Sequence, residues 1–438
     1  MTLGKGVTIN GSPLTAAQIA WPNFSPGFYP LGGVIPGAGP QYYDQNAGRP
    51  ARQYQWSFSV QREVARDLVV QASYIGNRGI WWPTYAGQPL TNYNFLSSGI
   101  FSQYGLNLNN ATDLATLLAP IGSAGAGRFQ NRLPFAGFPL TGTVAQSLRP
   151  LPQFTTIGLI NPPLGGTWYN SLQLTANKRF SHGLQFDFAF TWSKSLDTFQ
   201  GTPDVQNRTL AKGLSNLDQP LVMRVGFTYT TPKWGPKGVS YAVRDWMVNG
   251  FLYYASGTPL GAPTANTTGY AGSLSQATIA NVTFQSASHQ VRTGEPLYKQ
   301  NLDCHCFDPN TAFVLNPAAW ANPAPGQFGN QTYYGDFRGE RRPVENFAVG
   351  RQFRIRERIS LNVRAEFTNI LNRAYLSNPA IGGPGVSPQT APVCKLASGA
   401  NGTCSQPGMQ IVSGFGSIGT SSLAYPPRTG QLVAQFTF

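Results

Sequence analysis

The strongest constraint in this sequence is an alternation of apolar and polar residues with a period of two, repeated in separate runs. From Gln53 the chain reads Gln-Tyr-Gln-Trp-Ser-Phe-Ser-Val-Gln. Tyr54, Trp56, Phe58 and Val60 therefore share one face, and Gln53, Gln55, Ser57, Ser59 and Gln61 share the other. After a polar break at 62–67, Leu68, Val70, Ala72 and Tyr74 repeat the pattern. Leu172, Leu174 and Ala176 alternate with Ser171, Gln173 and Thr175. Across a turn at 178–183, Leu184, Phe186, Phe188, Phe190 and Trp192 alternate with Gln185, Asp187, Ala189, Thr191 and Ser193. Further runs lie at 223–231 and 246–256, joined by a Pro/Gly turn around 234–238, at 344–353 and 359–369, joined across 354–358, and at 429–438. An amphipathic helix repeats every 3.6 residues and cannot carry this pattern. The chain reads as about nine strands of roughly 9–11 residues, the length a tilted strand needs to cross a bilayer.

The connections sort into two classes. Those after the first, third, fifth and seventh strands are short, whereas the others run through 77–169, 195–222, 257–343 and 370–428. Strict alternation of short and long connections is the mark of an up-and-down barrel, with short periplasmic turns and long outer loops. A half-buried soluble sheet would show the same period, so the solvent is decided by other features. The polar faces are mostly Gln, Ser, Thr and Asn, and only 11% of residues are charged, against roughly 25% in soluble domains. Aromatics gather near strand ends, as at Tyr54, Trp56, Tyr74, Trp81, Trp82, Phe190 and Trp192, where membrane girdles sit. No apolar run approaches the roughly 20 residues of a membrane-spanning helix. The expected fold is all-β: an antiparallel up-and-down transmembrane β-barrel segment, about nine strands of a larger barrel, with long extracellular loops. Residues 1–52, interrupted by Pro22, Pro26, Pro30, Pro36 and Pro40, are expected to form an extracellular loop, and 53–438 the barrel.

The last run ends Gln431-Leu-Val-Ala-Gln-Phe-Thr-Phe438, with Leu432, Ala434, Phe436 and Phe438 on one face. This resembles the β-signal read by barrel assembly machinery, an edge strand offered for augmentation with alternate side chains setting specificity. Several segments together resemble the C-terminal part of a TonB-dependent outer-membrane receptor, of the type with a carboxypeptidase-regulatory-like domain upstream. They are Tyr54-Gln-Trp-Ser-Phe-Ser-Val-Gln-Arg-Glu63, Ala72-Ser-Tyr-Ile-Gly-Asn-Arg-Gly79, Tyr169-Asn-Ser-Leu-Gln-Leu-Thr175, Phe190-Thr-Trp-Ser-Lys-Ser195, the stretch 250–259 and Arg364-Ala-Glu-Phe-Thr-Asn-Ile-Leu-Asn372. The resemblance implies a barrel of about 22 strands around a plug, energised uptake through TonB, and residence in the outer membrane of a Gram-negative bacterium. Met1-Thr-Leu-Gly-Lys-Gly-Val-Thr-Ile-Asn10 has no secretory signal pattern. No plug or TonB-contacting segment is recognisable either, so the expectation is a partial barrel that meets TonB through a missing N-terminal part.

Catalytic patterns are lacking: no H-E-x-x-H, G-x-S-x-G or P-loop occurs. Gly414-Phe-Gly-Ser-Ile-Gly419 matches G-x-G-x-x-G but reads as a flexible turn before the last strand. No enzyme activity and no cofactor are expected. Cys394 and Cys404 bracket a short Gly/Asn-rich stretch and are disulfide candidates. Closing such a loop is worth roughly 2–3 kcal/mol. Asp303-Cys304-His305-Cys306 is a weak metal candidate, with three close ligands, and a local or inter-loop disulfide is the preferred reading. Lys and Arg number 31 against 17 Asp and Glu, a net charge of +14. They are scattered rather than clustered with stacking aromatics, which argues against nucleic acid and for lipopolysaccharide phosphates or a polar lumen. Asp187, Arg224, Arg364 and Glu366 fall on the polar strand faces and are the lumen-facing candidates, as internal charge pairs or as ligand contacts. The function expected is uptake of an unidentified nutrient. The alternatives are a structural or adhesive barrel without transport, and a secreted soluble β-protein that binds carbohydrate.

Overall fold

Each run of alternation forms a strand, and each strand pairs with the next one along the chain. The computed structural model describes most of residues 41–83, 89–198, 212–265, 289–322, 332–420 and 425–438, with short pieces at 8–9, 12–13, 278–279 and 282–283. Most of the expected loop 1–52 therefore lies outside the described residues. The strands are β1 (Arg52–Ala65), β2 (Leu68–Trp82), β3 (Gly165–Ser181), β4 (Leu184–Asp197) and β5 (Leu221–Thr230), followed by β6 (Trp246–Ala255), β7 (Val344–Arg356), β8 (Ile359–Thr368) and β9 (Thr429–Thr437). They hydrogen-bond in sequence order, every pair antiparallel. A two-residue strand, Gly213–Leu214, adds to the end of β4. Several strands outrun the alternation that marks them. β3 begins at Gly165, five residues before the apolar run, and β2 continues to Trp82 through Gly76 and Gly79. The ladder continues where the apolar stripe stops, because pairing needs only backbone groups.

The register keeps the apolar faces in phase. Phe58 lies opposite Tyr74, Tyr74 opposite Leu172, Leu172 opposite Trp192 and Trp192 opposite Leu221. Farther along, Val248 meets Val349, Val349 meets Ala365 and Ala365 meets Leu432. A slip of one residue anywhere would put the polar face of one strand beside the apolar face of the next. These apolar side chains are not a core. Phe58 is 70% exposed, Trp192 59% and Leu432 84%. A contiguous apolar face this wide in water would be an aggregation surface; in a bilayer it faces a matching solvent. The soluble alternative loses its basis here, since the bands of Phe, Leu and Val are not sealed inside.

The buried core lies in the loops. Leu260, Leu297, Val314, Leu315, Trp320, Phe337, Phe415 and Ile418 form one cluster drawn from the connections after β6 and β8. The glycine-rich match at 414–419 is part of it. Phe415 and Ile418 are buried, and Gly416 holds φ +79 with its α-carbon so close to Leu315 that a Cβ would sit 2.6 Å from the Leu315 backbone nitrogen. The expected flexible turn is thus a packed one. The connection after β2 contains a separate unit at 92–158 with helices Ser98–Gln103, Ala111–Leu118 and Val144–Ser147 and its own buried Leu96, Leu117, Ile121 and Phe138. Asn110 caps the second helix by accepting from the Thr112 amide at 2.9 Å. No helix of the described residues is long and apolar enough to cross a membrane.

β1 and β9 each have one strand partner among the described residues. Both run in the same direction, because eight antiparallel steps separate them. Placing a charge on either face tests the wall. Phe188→Arg, on the apolar face at mid-strand, is expected to cost about 2–4 kcal/mol of stability in lipid, and Thr191→Arg, on the polar face, close to nothing. Denaturant titration of the chain folded into vesicles reads the difference; equal costs would contradict a lipid-facing stripe.

Candidate functional site

The polar face holds all four lumen-facing candidates, but not as one cluster. On β8, Arg364 and Glu366 form an ion pair, and Glu366 also accepts from Gln431 of β9 at 2.5 Å. Near β4 and β5, the Arg224 guanidinium lies 5.5 Å from the Tyr253 ring centroid, and Asp187 lies against Gly226, where a Cβ would meet its carboxylate at 2.7 Å. β5 and β8 are three strand spacings apart, about 14 Å. The structure thus forms one internal pair and leaves Asp187 and Arg224 apart from it.

The richer chemistry is at the end of the sheet that bears the long connections. Glu345, the second residue of β7, falls on the apolar face and is 2% exposed. It is satisfied rather than stranded: Arg373 Nε donates to both carboxylate oxygens at 3.1 and 3.2 Å, and the Tyr254 hydroxyl donates to Oε1 at 3.1 Å. Arg373 is placed by the turn that ends β8. Asn369 and Asn372 take left-handed conformations, φ +49 and +53, a state asparagine tolerates better than most residues. The Asn369 side chain bonds the Arg373 backbone in both directions, at 2.9 Å each, and Asn372 Oδ1 accepts from the Arg428 amide at 3.0 Å. The segment Thr368-Asn-Ile-Leu-Asn-Arg373 is therefore a hinge-pin that turns the chain out of β8 and ties it to the entry of β9.

A second clamp joins the other loops. Arg338 Nη2 meets the buried Asp218 carboxylate at 2.5 Å, and its remaining donors reach the carbonyls of Asp218, Gly257 and Gly335. Tyr298 donates to the Arg338 carbonyl at 2.7 Å, and burial pushes its hydroxyl up to about 12. Beside the Arg373 clamp lies a cavity of about 460 Å³ lined by Phe190, Met223, Tyr254 and Arg373 together with the Arg341–Asp303 pair, 2.8 Å. Near it, burial raises the Glu340 carboxyl to about 7, against the opposing pull of Arg342. Neither the alternation nor the loop lengths mark Glu345, Arg373, Asp218 or Arg338. Glu345 was legible in principle, as the one carboxylate in a mostly apolar series with Phe347, Val349, Phe353 and Ile355, which Arg351 also interrupts.

The cysteines pair locally. Cys394 and Cys404 form a disulfide, with Cys394 buried in a small sheet of Val393–Leu396, Asn401–Gly402 and Met409–Ser413. Cys304 and Cys306 form another. Both sulfurs of the weak metal candidate are thereby committed to each other, and His305 lies outside the described residues. Of the C-terminal aromatic series, Leu432, Ala434 and Phe436 face Ala365, Val363 and Leu361 of β8, and Phe438, just past β9, is 94% exposed.

Comparison with known proteins places this architecture. The model of the family described as "Outer membrane beta barrel domain" matches residues 5–431. No curated protein matches the sequence. Matches among solved structures include the ferripyoverdine receptor of the outer membrane of Pseudomonas aeruginosa bound to ferripyoverdine, at 8% identity and TM-score 0.31, covering 76% of this chain and 25% of that one. The outer membrane transporter YddB from Escherichia coli is 9% identical with TM-score 0.34, covering 91% and 34%. The FpvAI–pyocin S2 complex is 9% identical with TM-score 0.31, covering 75% and 25%. The chain spans a quarter to a third of the length of these structures.

Two outcomes check the loop chemistry. Arg373→Ala leaves the Glu345 carboxylate buried without its cation, a change expected to cost about 2–4 kcal/mol and to open 370–428 to protease added outside intact cells. Glu340 gives a pH dependence of definite sign. Between about 4.5 and 7 its folded carboxyl keeps a proton that the unfolded one has lost, so stability falls as pH rises through that window. The segment 257–343 should resist protease better at pH 5 than at pH 8, and Glu340→Gln should flatten that difference.

Proposed function

This chain belongs to the outer membrane beta barrel domain family, and from that premise we propose that it forms part of the wall of an energy-coupled, TonB-dependent transporter for a nutrient ligand. It resides in the cell outer membrane. The observation that carries the transport reading is the second, polar face. It runs in phase from β1 to β9 opposite the lipid-facing stripe and bears Asp187, Arg224, Arg364 and Glu366. A wall greasy on one side and polar on the other is the form that encloses an aqueous lumen. Closure requires more strands than the nine here. With β1 and β9 parallel, an antiparallel ladder closes only through an odd number of further strands. Each backbone group left open in hydrocarbon costs several kcal/mol. In this reading TonB engages a part outside residues 53–438, and barrel assembly machinery reads the edge of β9 through Leu432, Ala434, Phe436 and Phe438. The ordered segments that resemble TonB-dependent receptors support the reading over a plain porin.

The adhesive alternative draws on a different observation, the folded core of the outer loops, which gives them a fixed surface. Growth separates the two. A strain deleted for this chain is compared with its parent on limiting metal chelates, vitamins and oligosaccharides supplied singly, each also in a background without TonB. Transport predicts a defect on at least one nutrient that the TonB deletion reproduces and does not deepen. Parity with the parent on every nutrient, together with lost attachment to surfaces, would establish the adhesive reading instead.

A further inference from the structure

Toward the long-loop end of β1 to β4, the lipid-facing side changes character in ordered rows. The row Phe58–Tyr74–Leu172–Trp192 gives way to Trp56–Gly76–Asn170–Lys194 and then to Tyr54–Arg78–Trp168–Leu196. The Trp56 indole lies flat over Gly76, where a Cβ would be 2.2 Å from the ring, and the Tyr74 hydroxyl donates to Asn170 Oδ1 at 2.7 Å. These two rows have the composition of a membrane interface, aromatic bodies with polar tips. Cations sit directly above. The Arg78 guanidinium stacks 3.8 Å from the Trp168 centroid and donates to the Thr167 carbonyl at 3.0 Å, and Lys212 Nζ lies 4.2 Å from the same ring. Lys194 is exposed beside them. Arg49 and Arg52 stack on Trp81 at 3.3 and 4.7 Å.

The ion pairs among the described residues include none of these five cations. Next to Lys194 a groove of about 450 Å³ is walled by Tyr74, Leu172, Trp192, Leu214 and Pro220. Arg338 also borders it, but that charge is already matched by Asp218. Basic charge held on aromatic faces at the upper edge of a lipid-facing stripe, with an apolar groove alongside, complements one kind of partner. That partner is an amphiphile with phosphate at headgroup depth and acyl chains below.

We propose that this rim binds the lipid A part of lipopolysaccharide in the outer leaflet, its phosphates on Arg78, Lys194 and Lys212 and part of its acyl or sugar body in the adjoining groove. The site depends on the lipid-facing assignment of the apolar side and not on uptake. The cations are held partly in place before binding, so little freedom is lost when a phosphate arrives. Arginine on indole also keeps its charge while shedding water at low cost.

The test uses the full chain folded in a neutral detergent, titrated with diphosphoryl lipid A and followed by native mass spectrometry. The variant Arg78→Gln/Lys194→Gln/Lys212→Gln is expected to bind about ten-fold or more weakly, given the worth of each basic residue near an anionic lipid surface. Arg224→Gln, which removes a cation from the polar face, is expected to bind as the parent does. Dephosphorylated lipid A and phosphatidylglycerol should both bind the parent at least ten-fold more weakly than diphosphoryl lipid A. Folding of each variant is checked by heat-modifiable gel mobility. Should the triple variant fail to fold, Lys194→Gln alone is expected to weaken binding several-fold. Undiminished binding by the folded variants, equal loss in Arg224→Gln, or equal affinity for dephosphorylated lipid A would overturn the proposal. So would equal affinity for phosphatidylglycerol, which would mark a general anionic surface. Loss of the growth phenotype with lipid A binding intact would remove the transport reading and leave this site standing.

Discussion

Hydrocarbon offers a peptide group no hydrogen-bond partner, so a chain that crosses it must pair every N–H and C=O within protein. The nine-strand meander answers that demand strand by strand, and its register answers a second one. Because side chains alternate, only pairing in phase collects the apolar ones on one side. Phe58, Tyr74, Leu172, Trp192 and Leu221 form a single row across five strands. The same phase, carried to β9, gathers Arg364, Glu366 and Gln431 on the other side. Wall and polar lining are one consequence of one register.

The connections obey different physics. Beyond the bilayer they meet water, and there an ordinary hydrophobic core becomes the stabilising device. Leu315, Trp320, Phe337 and Phe415 supply it, while Arg338 with Asp218 and Arg373 with Glu345 fasten the core to the strand ends. A buried ion pair contributes little net stability compared with an apolar replacement, but it is costly to break from one side. That asymmetry suits a clamp. It fixes which loop lies against which strand end, and it explains why a carboxylate occupies the mostly apolar face of β7.

The transition between the two regimes is graded along single strands. On β2, Val70 and Ala72 face hydrocarbon depth, Tyr74 presents a hydroxyl, Gly76 makes room for an indole and Arg78 carries charge. On β3 the sequence Leu174, Leu172, Asn170, Trp168 does the same. This gradient is why the alternation fades before the strands end, and why reading the pattern alone makes them too short.

The amino-acid sequence by itself determined the number, order and inner faces of the long strands, because alternation and loop length are local quantities that need no knowledge of distant neighbours. It also determined that Leu432, Ala434 and Phe436 share a side and that the four cysteines fall in connections. What only the tertiary structure decided depends on residues far apart in the chain. Arg338 finds Asp218 across 120 positions, and Tyr254 finds Glu345 across 91. The helices at 92–158 hide among Gly- and Pro-rich stretches, although the Asn110 cap before an Ala-Thr-Asp start was a readable sign. The loops look structureless in sequence because their apolar residues have no period. They acquire a core only when the connections after β6 and β8 meet, and no local pattern encodes that meeting.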